Sequence, residues 1–325
     1  MFRVPGADEL LRGSLLHMSD SKALAHWLTH NPLGRGLASR FVAGETLESA
    51  IEAVGKLNVN GIRATLDHLG EAVTNPTEAI EAAGDYVRIL ERLEAVGAVD
   101  GGPGDWTSGA MACNVSLKLT QMGLDISRTL CMDNLLRILE KAQQMGQFVR
   151  VDMESSRHTE ETLRVFEDVW QRGYTNCGIV LQAYLYRTEA DVERAIELGC
   201  RVRLCKGAYA EPVSEAFDAR HDIDKSFARC LRILMAGPGY PMIATHDPRL
   251  IAITRSLGMA RPAGSFEYQM LYGVRPDEQR RLAASGAKVR VYVPYGGDWY
   301  PYLVRRLAER PANLALFLRS LGSKS

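Results

Sequence analysis

Net charge is missing from this 325-residue chain, in which 39 Lys and Arg face 39 Asp and Glu. No overall field gathers a polyanion, which argues against a nucleic-acid partner. Cysteines are few and scattered: Cys113, Cys131, Cys177, Cys200, Cys205 and Cys230 form no CxxC or other short paired spacing. That excludes a zinc knuckle and a secreted disulfide framework, and it reads as reduced, mostly buried thiols of a cytoplasmic protein. No stretch of about 18 or more residues is free of charge, and MFRVPGADELLRGSLL lacks the apolar core and cleavage site of a leader, so neither a membrane span nor export is expected. There is no HxH, HExxH or acidic cluster at ligand spacing, which excludes a metal centre of ordinary type, and no GxSxG elbow for a nucleophilic serine. What remains is a chain with 46% hydrophobic and 24% charged residues, the proportions of a soluble globular protein with a sizeable core.

Residues 1 to about 58 read as helix throughout, with Leu47, Ala50, Ile51 and Val54 on one face and a stop at Asn60-Gly61. From Ile62 the pattern changes to eight short β-rich runs separated by helical segments. They are IRATLDHL (62–69), VSLKL (115–119), FVRVDM (148–153), GIVLQA (178–183), RVRLCK (201–206), PMIATH (241–246), SFEYQM (265–270) and KVRVYV (288–293). In the first intervening helix Asn75 caps, Pro76 takes the first position, and Ile80, Ala83, Val87 and Leu90 form the expected buried stripe. The Gly-rich stretch from about 97 to 112 reads as a surface loop. No GxGxxG follows the first strand, so eight βα units fit a (βα)8 TIM barrel (61–325) behind an N-terminal helical arm (1–60) better than an open sheet.

Side chains alternate across a strand, so parity separates helix-facing from lumen-facing residues. The aliphatic parity in five strands leaves Lys118, Asp152, Gln182, Arg203 and Tyr292 near the C-terminal ends on the other side, where barrel enzymes build their sites. Interior ion pairing, Lys118 with Asp152 for instance, would explain any one of them. Five at one rim are harder to explain as packing, because unused buried charge costs several kcal/mol per ion. In the last helix Tyr302, Arg305, Arg306 and Glu309 fall at i, i+3, i+4 and i+7, and adjacent guanidiniums there suit the carboxylate of an amino acid as well as they suit a solvated surface. His246 is open to a role as ligand, base or flavin contact. Lys118 or Lys206 could form a Schiff base, which leaves an aldolase or lyase open, and a degenerate barrel acting as a scaffold is the non-enzymatic alternative.

Taken together, VSLKL, VDMES, LQAYLYR, RLCKGAYAEP, ATHD, FEYQMLYG and RVYVPYGGDWYPYLVRRLAE resemble the short monofunctional bacterial form of the proline dehydrogenase family, in family order over most of residues 62–315. The resemblance implies a distorted barrel that holds FAD, with the last helix over its mouth. It implies oxidation of L-proline to 1-pyrroline-5-carboxylate by hydride transfer to flavin N5, with electrons passed to a membrane quinone. A separate pyrroline-5-carboxylate dehydrogenase then becomes a transient partner, and the protein works in the cytoplasm or peripherally at the inner membrane face. Asp152 and Arg203 are implied as catalytic. FAD contacts are implied for Met153, Gln182, Arg203, Lys206, Gly207, Ala208, Thr245, His246 and Glu309. Arg305 and Arg306 are implied to hold the substrate carboxylate, Lys118 and Asp152 to complete the polar end, and Tyr209, Leu271, Tyr292 and Tyr302 to wall the ring. An amphipathic part of the arm around Leu24, Trp27 and Leu28 is a candidate membrane contact. Two departures stand out: Cys205 replaces a common Val, and Asp247 replaces a usual Asn, adding charge beside His246.

Overall fold

In a computed structural model the described residues are 36, 38–70, 73–98 and 112–308. Eight parallel strands follow one another in sequence order around a closed barrel: β1 (Arg63–His68), β2 (Cys113–Leu117), β3 (Val149–Val151), β4 (Cys177–Gln182), β5 (Arg201–Cys205), β6 (Pro241–Ala244), β7 (Glu267–Leu271) and β8 (Val289–Tyr295). Each falls inside or within two residues of an expected run, and β8 pairs back on β1. Helix α1 (Leu47–Asn58) precedes the barrel. Then α2 (Pro76–Ala95), α3 (Arg128–Gln144), α4 (Ser156–Gln171), α5 (Thr188–Glu197), α6 (Arg220–Ala236), α7 (Pro248–Gly258), α8 (Pro276–Ala284) and α9 (Trp299–Ala308) follow the strands in turn. The main core lies between strands and helices. Val115, Leu117, Val149, Val151, Ile179, Leu181, Val202, Leu204, Val289, Val291 and Val293 all reach it on the expected parity.

Two local expectations need correction. The stripe of α2 is rotated: Ile80 is 48% exposed, while Ala79, Ala83, Tyr86, Leu90 and Leu93 are buried. The small side chains let the helix close down on the turn before α3, where a Cβ added to Gly123 would stand 3.1 Å from Ala79 Cβ. The expected cap is present, with Asn75 Oδ1 accepting from Glu78 N at 3.0 Å. The helical arm also gives way before α1. Residues 39–46 are turns and bends, tied to β8 where Ala43 N donates to Pro294 O at 2.8 Å and Gly296 N to Gly44 O at 3.1 Å. Residues 1–35, the stretch 99–111 and Glu309 onward lie outside the described residues.

A second, separate cluster caps the C-terminal end of the barrel. Ala38, Phe41 and Val42 pack with Leu69 and with Trp299, Tyr300, Tyr302, Leu303 and Val304 of α9, and Tyr292 of β8 borders them. Helix α9 therefore lies across the mouth. Lower in the lumen the barrel is tight. Gly178 stands in register with Arg150 of β3 and Arg201 of β5, and a Cβ there would meet Phe148 Cζ at 2.7 Å and the Arg201 carbonyl oxygen at 2.8 Å. The backbone oxygen cannot swing aside as a side chain could. Gly178→Ala is expected to destabilise the protein by about 1–3 kcal/mol, read from the urea midpoint; an unchanged midpoint would show that the strands have slack here.

Candidate active site

The lumen-facing parity builds a continuous column of buried polar groups. At its lower end Glu267 of β7 holds Arg290 of β8, Nε to Oε1 at 2.8 Å, with side chains 1% and 2% exposed. Arg290 Nη1 donates to Ala64 O of β1 at 2.9 Å. Gln269, two residues along β7, donates to Glu267 and accepts from Arg203 Nε at 2.6 Å. Arg203 then reaches across the lumen: Nη1 to Asp152 Oδ1 at 2.8 Å and Nη2 to Ser116 Oγ at 3.3 Å. The second oxygen of Asp152 accepts from Tyr292 OH at 2.8 Å, and the Arg203 guanidinium carbon lies 5.0 Å from the centre of the Tyr292 ring. Burial, then the carboxylates of Asp152 and Asp67, push the Tyr292 phenol far above its ordinary value. Tyr292 is therefore a donor and never a base.

Lys118 stands one residue past β2 and donates to both oxygens of Asp67, at 2.9 and 3.1 Å. The suggested Lys118–Asp152 pair is not formed: the ammonium is taken by Asp67, while Asp152 accepts from Arg203 and Tyr292. Burial opposes the charge on Lys118, yet Asp67 and Asp152 more than offset it and hold its pKa above that of an ordinary lysine. Asp67, Glu267 and Gln269 were not singled out from sequence. The same alternation reveals them, Thr65 and Asp67 opposing Ala64 and Leu66, and Glu267 and Gln269 opposing Tyr268 and Met270.

The remaining expected residues gather at the strand ends. Gln182 closes β4, its Nε2 donating to Met153 O at 3.1 Å, while its Oε1 is buried without a hydrogen-bond partner. Gly207 has φ +103 and lies on the ring of Tyr184, where an added Cβ would come within 2.2 Å of Cδ1; only glycine fits that backbone and that approach. Lys206 pairs with Asp224, and with Asp247 at 3.2 Å. Ala208 and Tyr209 follow, both half-buried. Thr245 is buried and its Oγ1 accepts from Asp247 N at 3.1 Å. His246 Nε2 accepts from Leu271 N at 2.9 Å, so that nitrogen carries no proton. The charge of Asp247 is taken up by Arg249, by the α7 N-terminus that it caps and by Lys206, which hold its carboxyl far below the usual range. From α9, Arg305 stands 5.9 Å from the centre of the Tyr209 ring and Arg306 5.2 Å from that of its neighbour Tyr302. Glu309 lies outside the described residues.

The Schiff-base alternative loses its footing here. A nucleophilic lysine needs a depressed pKa, whereas Lys118 is raised and Lys206 is ion-paired. The residues do suit an organic cofactor with polar ring edges. The unpartnered Gln182 oxygen, buried at the end of β4, is an acceptor for a ligand N–H.

A closed (βα)8 barrel whose buried titratable groups converge on its C-terminal mouth, under a helix that brings two arginines, is the build of a barrel enzyme. The profile of the proline dehydrogenase family matches residues 50–317, and the chain belongs to that family. It is 38% identical to proline dehydrogenase 1 of Bacillus subtilis over 97% of this chain and all of that one. It is also 38% identical to the proline dehydrogenase of Deinococcus radiodurans, over 88% of this chain and 90% of that one. Among solved structures, proline utilization A (PutA) from Bdellovibrio bacteriovorus, inactivated by N-propargylglycine, superposes with a TM-score of 0.79 at 26% identity, over 99% of this chain and 37% of that one. The chain is thus a proline dehydrogenase, an oxidoreductase of proline catabolism.

Removing Asp152 would leave the Arg203 guanidinium buried without its counter-charge. Asp152→Ala is expected to destabilise the fold by about 3–5 kcal/mol in chemical denaturation. A loss below about 1 kcal/mol would mean that water reaches Arg203.

Proposed function

We propose that this proline dehydrogenase binds FAD and oxidises L-proline to 1-pyrroline-5-carboxylate by hydride transfer to flavin N5, with a membrane quinone as final acceptor and a separate pyrroline-5-carboxylate dehydrogenase taking the product. The observation that carries this reading is the buried column through Arg203 and Asp152, which opens at the mouth beneath the two arginines of α9. FAD, when bound, supplies the two-electron acceptor that no side chain can supply. Gln182 with its free carbonyl oxygen, Met153, the Lys206–Gly207–Ala208 turn, Thr245 and neutral His246 are the groups that would hold it, and Glu309, which lies outside the described residues, is proposed with them.

The chain's own residues then set geometry and charge. Arg305 and Arg306 bind the substrate carboxylate, and their attachment to α9 fixes the distance from that clamp to the floor of the pocket. Tyr209, Leu271, Tyr292 and Tyr302 wall the ring and exclude water. Arg203, with N–H groups beyond those given to Gln269, Asp152 and Ser116, provides positive charge where negative charge develops during hydride transfer. Asp152 is catalytic through that guanidinium and through Tyr292, which it orients. Lys118 completes the polar end. Quinone is proposed to be met at the membrane surface, with Leu24, Trp27 and Leu28 of the arm as the contact; these three lie outside the described residues, among which no helix is long and apolar enough to cross a membrane.

The purified protein is expected to be yellow and to lose its colour when L-proline is added without an electron acceptor. A colourless protein that borohydride traps covalently with its substrate would replace this reading with Schiff-base chemistry. Arg305→Met and Arg306→Met should each remove a charge-assisted contact of about 1.5–3 kcal/mol and raise KM roughly 10 to 150-fold with the flavin retained. Unchanged KM in both would take α9 out of substrate binding.

A further inference from the structure

We infer that Asp67 is the positioning residue for Lys118, fixing its ammonium at the polar end of the substrate pocket and keeping it charged; this rests on the proposed place of Lys118 in that pocket. Asp67 is the penultimate residue of β1 and its side chain is 1% exposed, against 15% for Lys118. In the β1–β2 register Asp67 stands beside Ser116, and Lys118 is the next residue of the same parity, so the ammonium rises past Ser116 and returns to the β1 carboxylate. Both Asp67 oxygens take part.

Two features make this arrangement more than a barrel-stabilising ion pair. First, the direct contacts divide. Asp152 is hydrogen-bonded to Arg203 and Tyr292, while both oxygens of Asp67 accept from the Lys118 ammonium, so Asp67 is the carboxylate that holds it and Asp152 acts on it only from a distance. Second, the pair stands among groups the mechanism needs. The charged or titratable groups facing Lys118 are Asp67 from β1, Asp152 beyond β3 and Tyr209 from the β5–α6 loop. Those facing Asp67 include Tyr292 and Tyr295 of β8 and Tyr86 of α2. These phenols are raised by burial, so none of them can replace the carboxylate as a negative partner. A protonated secondary amine has no lone pair with which to expel hydride, and a permanent positive charge at the polar end favours binding of the neutral amine. Asp67 keeps that charge in place over the working pH range.

Asp67→Asn preserves shape and one acceptor but removes the counter-charge, so the buried lysine loses its proton at a lower pH. Measured as kcat/KM relative to wild type between about pH 6 and pH 10, Asp67→Asn should show a new alkaline limb, falling about tenfold or more and recovering when the pH is returned to 6. Lys118→Met should be impaired at every pH, and the Asp67→Asn/Lys118→Met double variant should show no such limb. A profile for Asp67→Asn parallel to wild type, or a limb that persists in the double variant, overturns the assignment. Wild-type kcat/KM in Lys118→Met removes Lys118 from the pocket and with it the basis of the inference, while flavin bleaching by proline tests the activity separately. If Asp67→Asn alone is insoluble, the double variant, which buries neither charge, must regain solubility and a cooperative thermal transition; failure to do so overturns the pairing.

Discussion

The guanidinium of Arg203 crosses the lumen from β5 and satisfies groups on three other parts of the barrel wall: Ser116 on β2, Asp152 at the end of β3 and Gln269 on β7. A buried cation is tolerable only when its donors are spent on acceptors of good geometry. Here each acceptor has a further duty. Asp152 holds the Tyr292 hydroxyl, and Gln269 is held by Glu267, which also holds Arg290. Displacing Arg203 would therefore leave unsatisfied groups on several strands at once, and the pocket wall at Tyr292 would lose its anchor. The position of this buried cation and the closure of the barrel are one constraint.

Alternating aliphatic residues in VSLKL, FVRVDM, RVRLCK and KVRVYV made the strands and their facing legible, because period two is imposed by the pleat itself. It also brought Asp152, Arg203 and Tyr292 to the same face, and these three do meet. Partner choice was not legible. Whether Lys118 takes Asp67 or Asp152 depends on inter-strand register, which no single run encodes. The α2 stripe was missed for a related reason: hydrophobicity favours Ile80, but close packing against the turn at Gly123 favours the alanine beside it. Gly207 shows its necessity only once φ +103 and the Tyr184 ring are seen.

Placement of charge also separates chemistries that the barrel could otherwise support. Both lysines that might have formed an imine are committed to carboxylates. Asp247, whose charge seemed aimed at His246, caps α7 and pairs with Lys206 and Arg249. Deeper in the barrel Arg150 is fully buried, and among the described residues its hydrogen-bond acceptors are Thr65 Oγ1 and Met242 Sδ. Burial, then Arg203 and Arg290 beside it, work against its charge. A guanidinium does not surrender its proton in a protein, so Arg150 adds positive charge to the lumen beneath the Arg203–Asp152 pair.

The small apolar cluster at the mouth has a kinetic meaning. Phe41 and Val42 come before β1, and Leu303 and Val304 come after β8, so their contacts span nearly the whole described chain. Such contacts repay the entropy of closing so long a loop only after β8 has zipped onto β1 and brought the two segments together. Barrel closure is thus the precondition for the roof over the mouth, and a chain still lacking its final strand lacks Arg290 and Tyr292 of the buried column as well as the cover above it.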